Sequence, residues 1–403
     1  MQQVLELNEL YTLIVGLVAL VAGALATSNI PGVKRLSLPI SVTGGVLVAL
    51  LVAVIRISFG VEVVFATEAR DILLLIFFTT VGLSAKISAL KAGGRAVAVV
   101  CAFTVVLLVV QNLVGVGIAL VRGAHPFYGL LVGSLSFVGG PGTAIAWAKE
   151  ATAMGLPHAP EVALGSATLA TLAGALVAPF LTGWLVRKHG LDSGEGDTGI
   201  PWKGATETRR LKIEAASQMQ IVASLLLVMV AVAIGDWLND WARSIDIVLP
   251  GFLTAMLAGV LIANVGDLFG KETSFAPVDR GGALSLQLFL ALSLMGLQLW
   301  VVLPIMGPLL LNVALQVAIS SVIALVVLFR VLGRDYDAAV TAGGFMGFGL
   351  ASMPVAFATM EEITDRYGPS AKAFLTITLA GSFFVDLANA AVTKAFLMLP
   401  FFK

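Results

Sequence analysis

The chain has 403 residues, is 59% hydrophobic and only 12% charged, and its mean hydropathy is +1.00. A water-soluble domain is excluded by that balance, which is the composition of a polytopic membrane protein. Basic and acidic residues cancel at 24 each, so no global pull toward nucleic acid or acidic surfaces follows, and a lone Cys101 rules out an intrachain disulfide.

The N-terminus carries Glu6 and Glu9 but no basic residue before the first apolar run, so the basic region of a cleaved signal is missing and the first helix is expected to stay. Apolar runs able to span a bilayer, or nearly so, at about 20 residues per span, fall at 11–26, 38–55, 72–90, 96–121, 127–155 and 161–186. A polar, glycine-rich linker occupies 187–218, and the pattern then resumes at 219–238, 247–264, 284–303, 308–331, 337–360 and 371–398.

The halves on either side of the linker, 1–186 and 219–403, read as copies. Pro39 answers Pro250, Gly82 answers Gly296, Gln111 answers Gln316 and Tyr128 answers Tyr336, each pair roughly 210 residues apart, as one duplication would leave them. One repeat on each side of one linker is a recurrent plan among secondary transporters.

Two runs differ from the others. SFVGGPGTAIAW, from Ser136 to Trp147, and TAGGFMGFGLASMP, from Thr341 to Pro354, are apolar enough for a bilayer yet dense in glycine and broken by proline, which a continuous membrane helix disfavours. Read as re-entrant hairpins at about 127–155 and 337–360, they leave five crossings per half and make the repeats inverted. With the linker inside, this arrangement puts a larger share of Lys and Arg on the inner side than six crossings would, among them Lys34, Arg35, Lys86, Lys91, Arg95, Lys271, Arg280, Arg330 and Arg334. Both termini then lie outside, and the two hairpins enter from opposite faces, so that their tips can approach near the midplane.

Candidate chemistry concentrates at these tips. At Gly139, Gly140, Pro141, Gly142 and Thr143 a turn would expose the free N–H groups of the helix that follows, an anion-binding arrangement. Gly343, Gly344, Gly347 and Gly349 can do the same, with Ser352 adding a hydroxyl. Close helix packing is the competing use of small residues, but matched glycine clusters in two repeats favour loops. Asp386, inside GSFFVDLANAAVTKAF, is a carboxylate in an apolar stretch, where such groups are costly and usually functional. Asn389 follows on the same helical face; together they suit a sodium ion, or Asp386 a substrate ammonium. The amides Gln111, Asn112, Asn312 and Gln316 read as interhelical hydrogen-bond formers. The tryptophans Trp147, Trp184, Trp202, Trp237, Trp241 and Trp300 read mostly as interface anchors. His125, His158 and His189 fall in loops without metal-ligand spacing, and GDLFGKET at 266–273 lacks the spacing of a phosphate loop. No catalytic constellation appears, so an enzyme is not expected, and no cofactor beyond a coupling ion. A channel and a proton-coupled carrier remain as alternatives.

These blocks resemble the bacterial sodium:glutamate symporter family: ARDILLLIFFTTVGLSAKISALKAGGRA at 69–96, QNLVGVGIA at 111–119, GGPGTAIAWAK at 139–149, RDYDAAVTAGGFMGFGLASMPVAFATMEEITDRYGPSAKAF, and GSFFVDLANAAVTK. The resemblance covers nearly the whole chain. It implies an all-α integral membrane protein of ten spans in two inverted five-span units, re-entrant loops carrying the glycine motifs, and sodium-coupled uptake of an anionic amino acid or small dicarboxylate. It further implies a homodimer in the bacterial inner membrane that moves its transport part, elevator-fashion, past a fixed scaffold. Substrate contacts would come from Ser136, Gly139 to Thr143, Gly347, Gly349, Ser352, Met353 and Asp386, and sodium contacts from Asp386 and Asn389. At the tips the chain departs from the family pattern, with Pro141 in place of a histidine in GGHGT, and Ala351, Ser352 and Met353 in place of the Gly, Ala and Thr of GFGLGATP.

Overall fold

The computed structural model describes residues 3–30, 39–85, 94–193, 218–244, 250–268, 276–381 and 384–402. Most of the linker at 187–218, Lys34, Arg35, Lys86, Lys91, Trp202, Lys271 and the last residues of GDLFGKET lie outside these ranges.

The chain opens with a short strand β1 (Gln3–Leu7), helices α1 (Glu9–Asn29) and α2 (Ile40–Phe59), strand β2 (Val61–Phe65) and helix α3 (Glu68–Leu83). The long α4 (Gly94–Val121) leads to two short helices, α5 (Pro126–Leu131) and α6 (Ser134–Phe137), then to α7 (Gly140–Ala153) and α8 (Ala159–His189). After the linker come α9 (Gln218–Ser244), α10 (Gly251–Leu268), α11 (Ala276–Met295), the single turn α12 (Leu299–Val302) and α13 (Met306–Val322). Helix α13 continues through a π-helical turn, Ile323–Leu328, into α14 (Phe329–Leu332). The chain closes with α15 (Tyr336–Leu350), α16 (Met353–Tyr367), α17 (Ala371–Gly381) and α18 (Phe384–Leu397). Among the described residues, six helices are long and apolar enough to cross a membrane unaided, so the protein is a multi-pass, mainly helical membrane protein. The two strands depart from an all-helical expectation. They pair in parallel from Gln3 with Val61 to Leu7 with Phe65.

The chain forms two compact units, and neither coincides with a sequence half. The first gathers Met1–Lys86, Pro141–Thr168 and Gln218–Gly307; the second gathers Ile87–Gly140, Leu169–Ser217 and Pro308–Lys403.

In the first unit α1 and α2 approach to backbone contact. A Cβ on Gly44 would overlap the Ala19 carbonyl, and one on Gly23 the Ile40 carbonyl, so these positions are glycine for closeness rather than flexibility. Asn8 caps α1 by accepting from the Tyr11 N–H at 3.0 Å, and the Glu9 carboxylate accepts from the N–H groups of Glu68 and Ala69 at 3.1 Å each, satisfying the start of α3. Asp71 on α3 takes Arg70 Nε at 3.0 Å and the ammonium of Lys149 on α7. Trp147 is 2% exposed and meets Phe252 edge-on, with Phe78 packed on the other ring contact of Phe252. The interface-anchor reading therefore fails for Trp147, which is core; Trp237 and Trp241 stay exposed.

The second unit holds an apolar core built around Phe345, Phe348, Phe374, Leu107 and Leu108. Helices α15 and α16 pack against each other as a hairpin. Gly347 permits this, because a Cβ there would lie 2.6 Å from the Ala356 Cα. His189 sits in the last turn of α8 rather than in a loop, with its ring 5.3 Å from Phe329.

Candidate functional site

Two interruptions of helical backbone define the site, and both belong to the second unit. At the first, α5 stops at Leu131, Gly133 precedes α6 with a non-helical backbone, and α6 ends after one turn. Gly140 then takes a left-handed φ of 66°, which a side chain would resist, and opens α7. At the second, α15 stops at Leu350, and Ala351 and the extended Ser352 lead into α16, where Pro354 occupies the first turn and forfeits no hydrogen bond. The interruptions touch: a Cβ on Gly140 would lie 3.1 Å from the Ala351 carbonyl and 3.7 Å from Ser352 Cβ.

Buried amides tie these breaks down. Asn112 Oδ1 accepts from the Ser134 N–H at 3.0 Å, and Asn312 Nδ2 donates to the Val132 carbonyl at 2.7 Å. Gln111 Nε2 donates to the Gly349 carbonyl at 2.8 Å, while Gln316 Nε2 donates to the Gln111 carbonyl at 2.9 Å. So the amide pair on α4 serves both breaks, and the pair on α13 serves the first and braces α4. The expected interhelical hydrogen bonds are present, and their acceptors are mostly the carbonyls that the breaks leave free.

Asn389 on α18 closes a two-point clasp: its Oδ1 accepts from Ser134 Oγ at 2.6 Å, and its Nδ2 donates to the Ser134 carbonyl at 3.2 Å. Ser134 was not among the residues singled out from sequence. A serine in an apolar run carries no spacing signal, and only the partner on α18 reveals it. Ser136, which was singled out, turns its hydroxyl back to the Leu131 carbonyl. Asp386 lies in the first turn of α18, half-buried, with no hydrogen-bond or ion-pair partner among the described residues. It shares a face with Asn389, whose amide is occupied by Ser134.

Gly139, Gly140, Ser352 and Met353 thus belong to the two breaks, whereas Gly343, Gly344, Gly347 and Gly349, read from sequence as a turn, lie inside α15 before the second break. Ser352 and Met353 are half-buried, and the sulfur of Met353 occupies the space that a Cβ on Gly381 would need. Pro141, Gly142 and Thr143 form the first turn of α7 and count with the first unit, where a Cβ on Gly142 would lie 3.8 Å from Leu286 and from Phe289. Among the described residues no three His, Cys, Asp or Glu side chains cluster as metal ligands.

Residues 5–369 match the family described as sodium/glutamate symporter. The chain is 37% identical to the sodium/glutamate symporter of Escherichia coli (strain K12) over 402 residues, 98% of this chain and 99% of that one. It is 34% identical to the sodium/glutamate symporter of Haemophilus influenzae over 388 residues, 95% of each chain. The chain belongs to the sodium/glutamate symporter family. This is a family of transporters and not of enzymes. Both breaks lie inside the family match.

Proposed function

We propose that the protein is a sodium-coupled symporter that carries glutamate, or a closely related small anion, into the cell by alternating access. The observation that carries this is the contact of two helix breaks at Gly140 and Ala351 in a chain of this family. Helix starts at 140 and 353 offer free N–H groups and positive dipole ends to carboxylates, so no buried arginine is needed. In this reading Gly139 to Thr143, Gly347, Gly349, Ser352 and Met353 face the substrate, Ser136 supports the first break from behind, and Asp386 with Asn389 serves the cation or the substrate ammonium.

Inverted repeats fit the order of elements. Helix starts at Ile40 and Gly251, Glu68 and Ala276, Pro126 and Tyr336, and Ala159 and Ala371 recur in the same sequence in both halves. Pro39 and Pro250 each accept from the N–H groups three and four residues on. The pairing of Lys149 with Asp71 brings the end of α7 to the loop before α3, on one side of the membrane, as a re-entrant run requires and a crossing run would not. The parallel pairing of β1 with β2 likewise keeps the N-terminus beside that loop, the side assigned as outer, with the linker cytoplasmic. An elevator displacement of the loop-bearing core against scaffold helices, within a homodimer of the bacterial inner membrane, completes the proposal.

Purified protein in liposomes, given labelled glutamate and an inward sodium gradient, tests it. Uptake that survives sodium removal at a fixed pH gradient would instead make Asp386 a proton carrier and the protein a proton symporter.

A further inference from the structure

Three buried amide oxygens around the two breaks have no hydrogen-bond partner among the described residues. Gln111 and Gln316 are fully buried and Asn312 is 1% exposed, yet Gln111 Oε1, Gln316 Oε1 and Asn312 Oδ1 accept no hydrogen bond. Their orientation is not arbitrary, because each amide nitrogen donates to a backbone carbonyl, at Gly349, Gln111 and Val132 respectively. Turning any of the three would set carbonyl against carbonyl. The oxygens therefore face away from those carbonyls by necessity.

The side chains that carry them also lie near one another. Asn312 and Gln316 are one turn apart on the same face of α13. Asn312 holds Val132, and the Gln111 carbonyl that Gln316 holds lies 3.1 Å from where a Cβ on Gly133 would be, so both amides flank the Val132–Gly133 turn. Ser320, a further turn along α13, takes Gln111 Nε2 at 3.4 Å, which draws the Gln111 amide to the same helix. Helix α13 turns π-helical just beyond, at Ile323, a distortion frequent at functional positions.

We propose that Asn312, Gln316 and Gln111 form, through these oxygens, a binding site for sodium at the turn between α5 and α6. Unpaired, buried acceptors on three amides packed around the breaks suit a hard cation, which takes neutral oxygens; carbonyl ends of interrupted helices are favourable company for it. None of the described hydrogen-bond partners of these amides is charged, so no counter-charge touches them directly. An anionic substrate at the neighbouring breaks would supply one, which makes sodium and substrate bind better together than apart, and reciprocally. This inference rests on the sodium-coupled reading above and assigns it ligands other than Asp386 and Asn389.

The test compares Gln316→Leu, which removes nitrogen and oxygen, with Gln316→Glu, which loses the N–H donor but keeps an oxygen. Two readouts serve: the sodium-dependent rise in Tm of the purified protein, with potassium as control, and the sodium concentration that gives half-maximal glutamate uptake. The leucine variant should raise that concentration about tenfold, the scale on which disturbing a metal's surroundings is felt, while the glutamate variant stays near or below the wild-type value. Asn312→Leu against Asn312→Asp should repeat the pattern. Tm without sodium reports folding separately. Wild-type sodium dependence in both leucine variants, or equal loss in the leucine and acidic variants, would overturn the site while leaving symport intact. A wild-type protein indifferent to sodium would overturn both.

Discussion

At the scale of single residues, Asn389 and Asp386 share a helical face but have different work. Asn389 is spent on Ser134, whereas Asp386 has no partner among the described residues. Asp386→Asn is therefore expected to abolish sodium-driven glutamate accumulation while leaving Tm little changed; uptake at the wild-type rate would make the carboxylate structural. Ser134→Ala leaves a buried amide oxygen unpaired, a loss of ~1–3 kcal/mol, so Tm should fall and uptake with it. Pro141, where the family pattern has histidine, is the position to exchange for specificity: Pro141→His should lower the KM for glutamate and leave the half-saturating sodium concentration unchanged, measured as uptake against glutamate at saturating sodium. Asp386 was legible in the sequence because a carboxylate in an apolar run is rare. Ser134 was not, because hydroxyls are common in membrane helices, and Trp147 misled because proximity to a run's end says nothing about which face of the helix is covered.

At the scale of elements, the glycine-dense runs lie beside both interruptions, with Gly343, Gly344, Gly347 and Gly349 inside α15 rather than in a turn, and glycine serves two ends here. In Gly140 it permits a left-handed turn; in Gly44 it permits backbone contact between α1 and α2. Gly44→Ala drives a methyl into the Ala19 carbonyl and should cost ~1–3 kcal/mol, lowering Tm in detergent. Gly117→Ala, on α4 with nothing within 4 Å of the added carbon, should be neutral or gain up to about 1 kcal/mol in helix propensity. Equal effects at both positions would refute the packing argument. The strands were readable in principle, since Val61–Phe65 is rich in β-branched and aromatic residues, but five residues beside long apolar runs do not stand out. Helix facing was hardly legible, because these helices are apolar nearly all round and carry no stripe to read.

For the whole molecule, sequence halves and compact units answer different questions. The halves are a reading of spacing along the chain, and each unit draws on both of them, because elements far apart in sequence pack together: α3 lies against α10 and α11, and α4 against α17 and α18. Repeat partners Pro39 and Pro250 fall in the first unit, Gln111 and Gln316 in the second. Matching residues could be found by counting along the chain, whereas the assembly of units depends on close contacts such as Gly82 against Met256, which no spacing rule announces. The central claim is that a sodium gradient drives substrate across the membrane through these breaks. Its most direct test is accumulation of labelled glutamate in proteoliposomes under an inward sodium gradient, against the same liposomes with sodium replaced by choline at constant pH. Concentrative, saturable uptake that disappears with sodium is the predicted result; accumulation that persists in choline, or flux that merely equilibrates whatever the gradient, would contradict it.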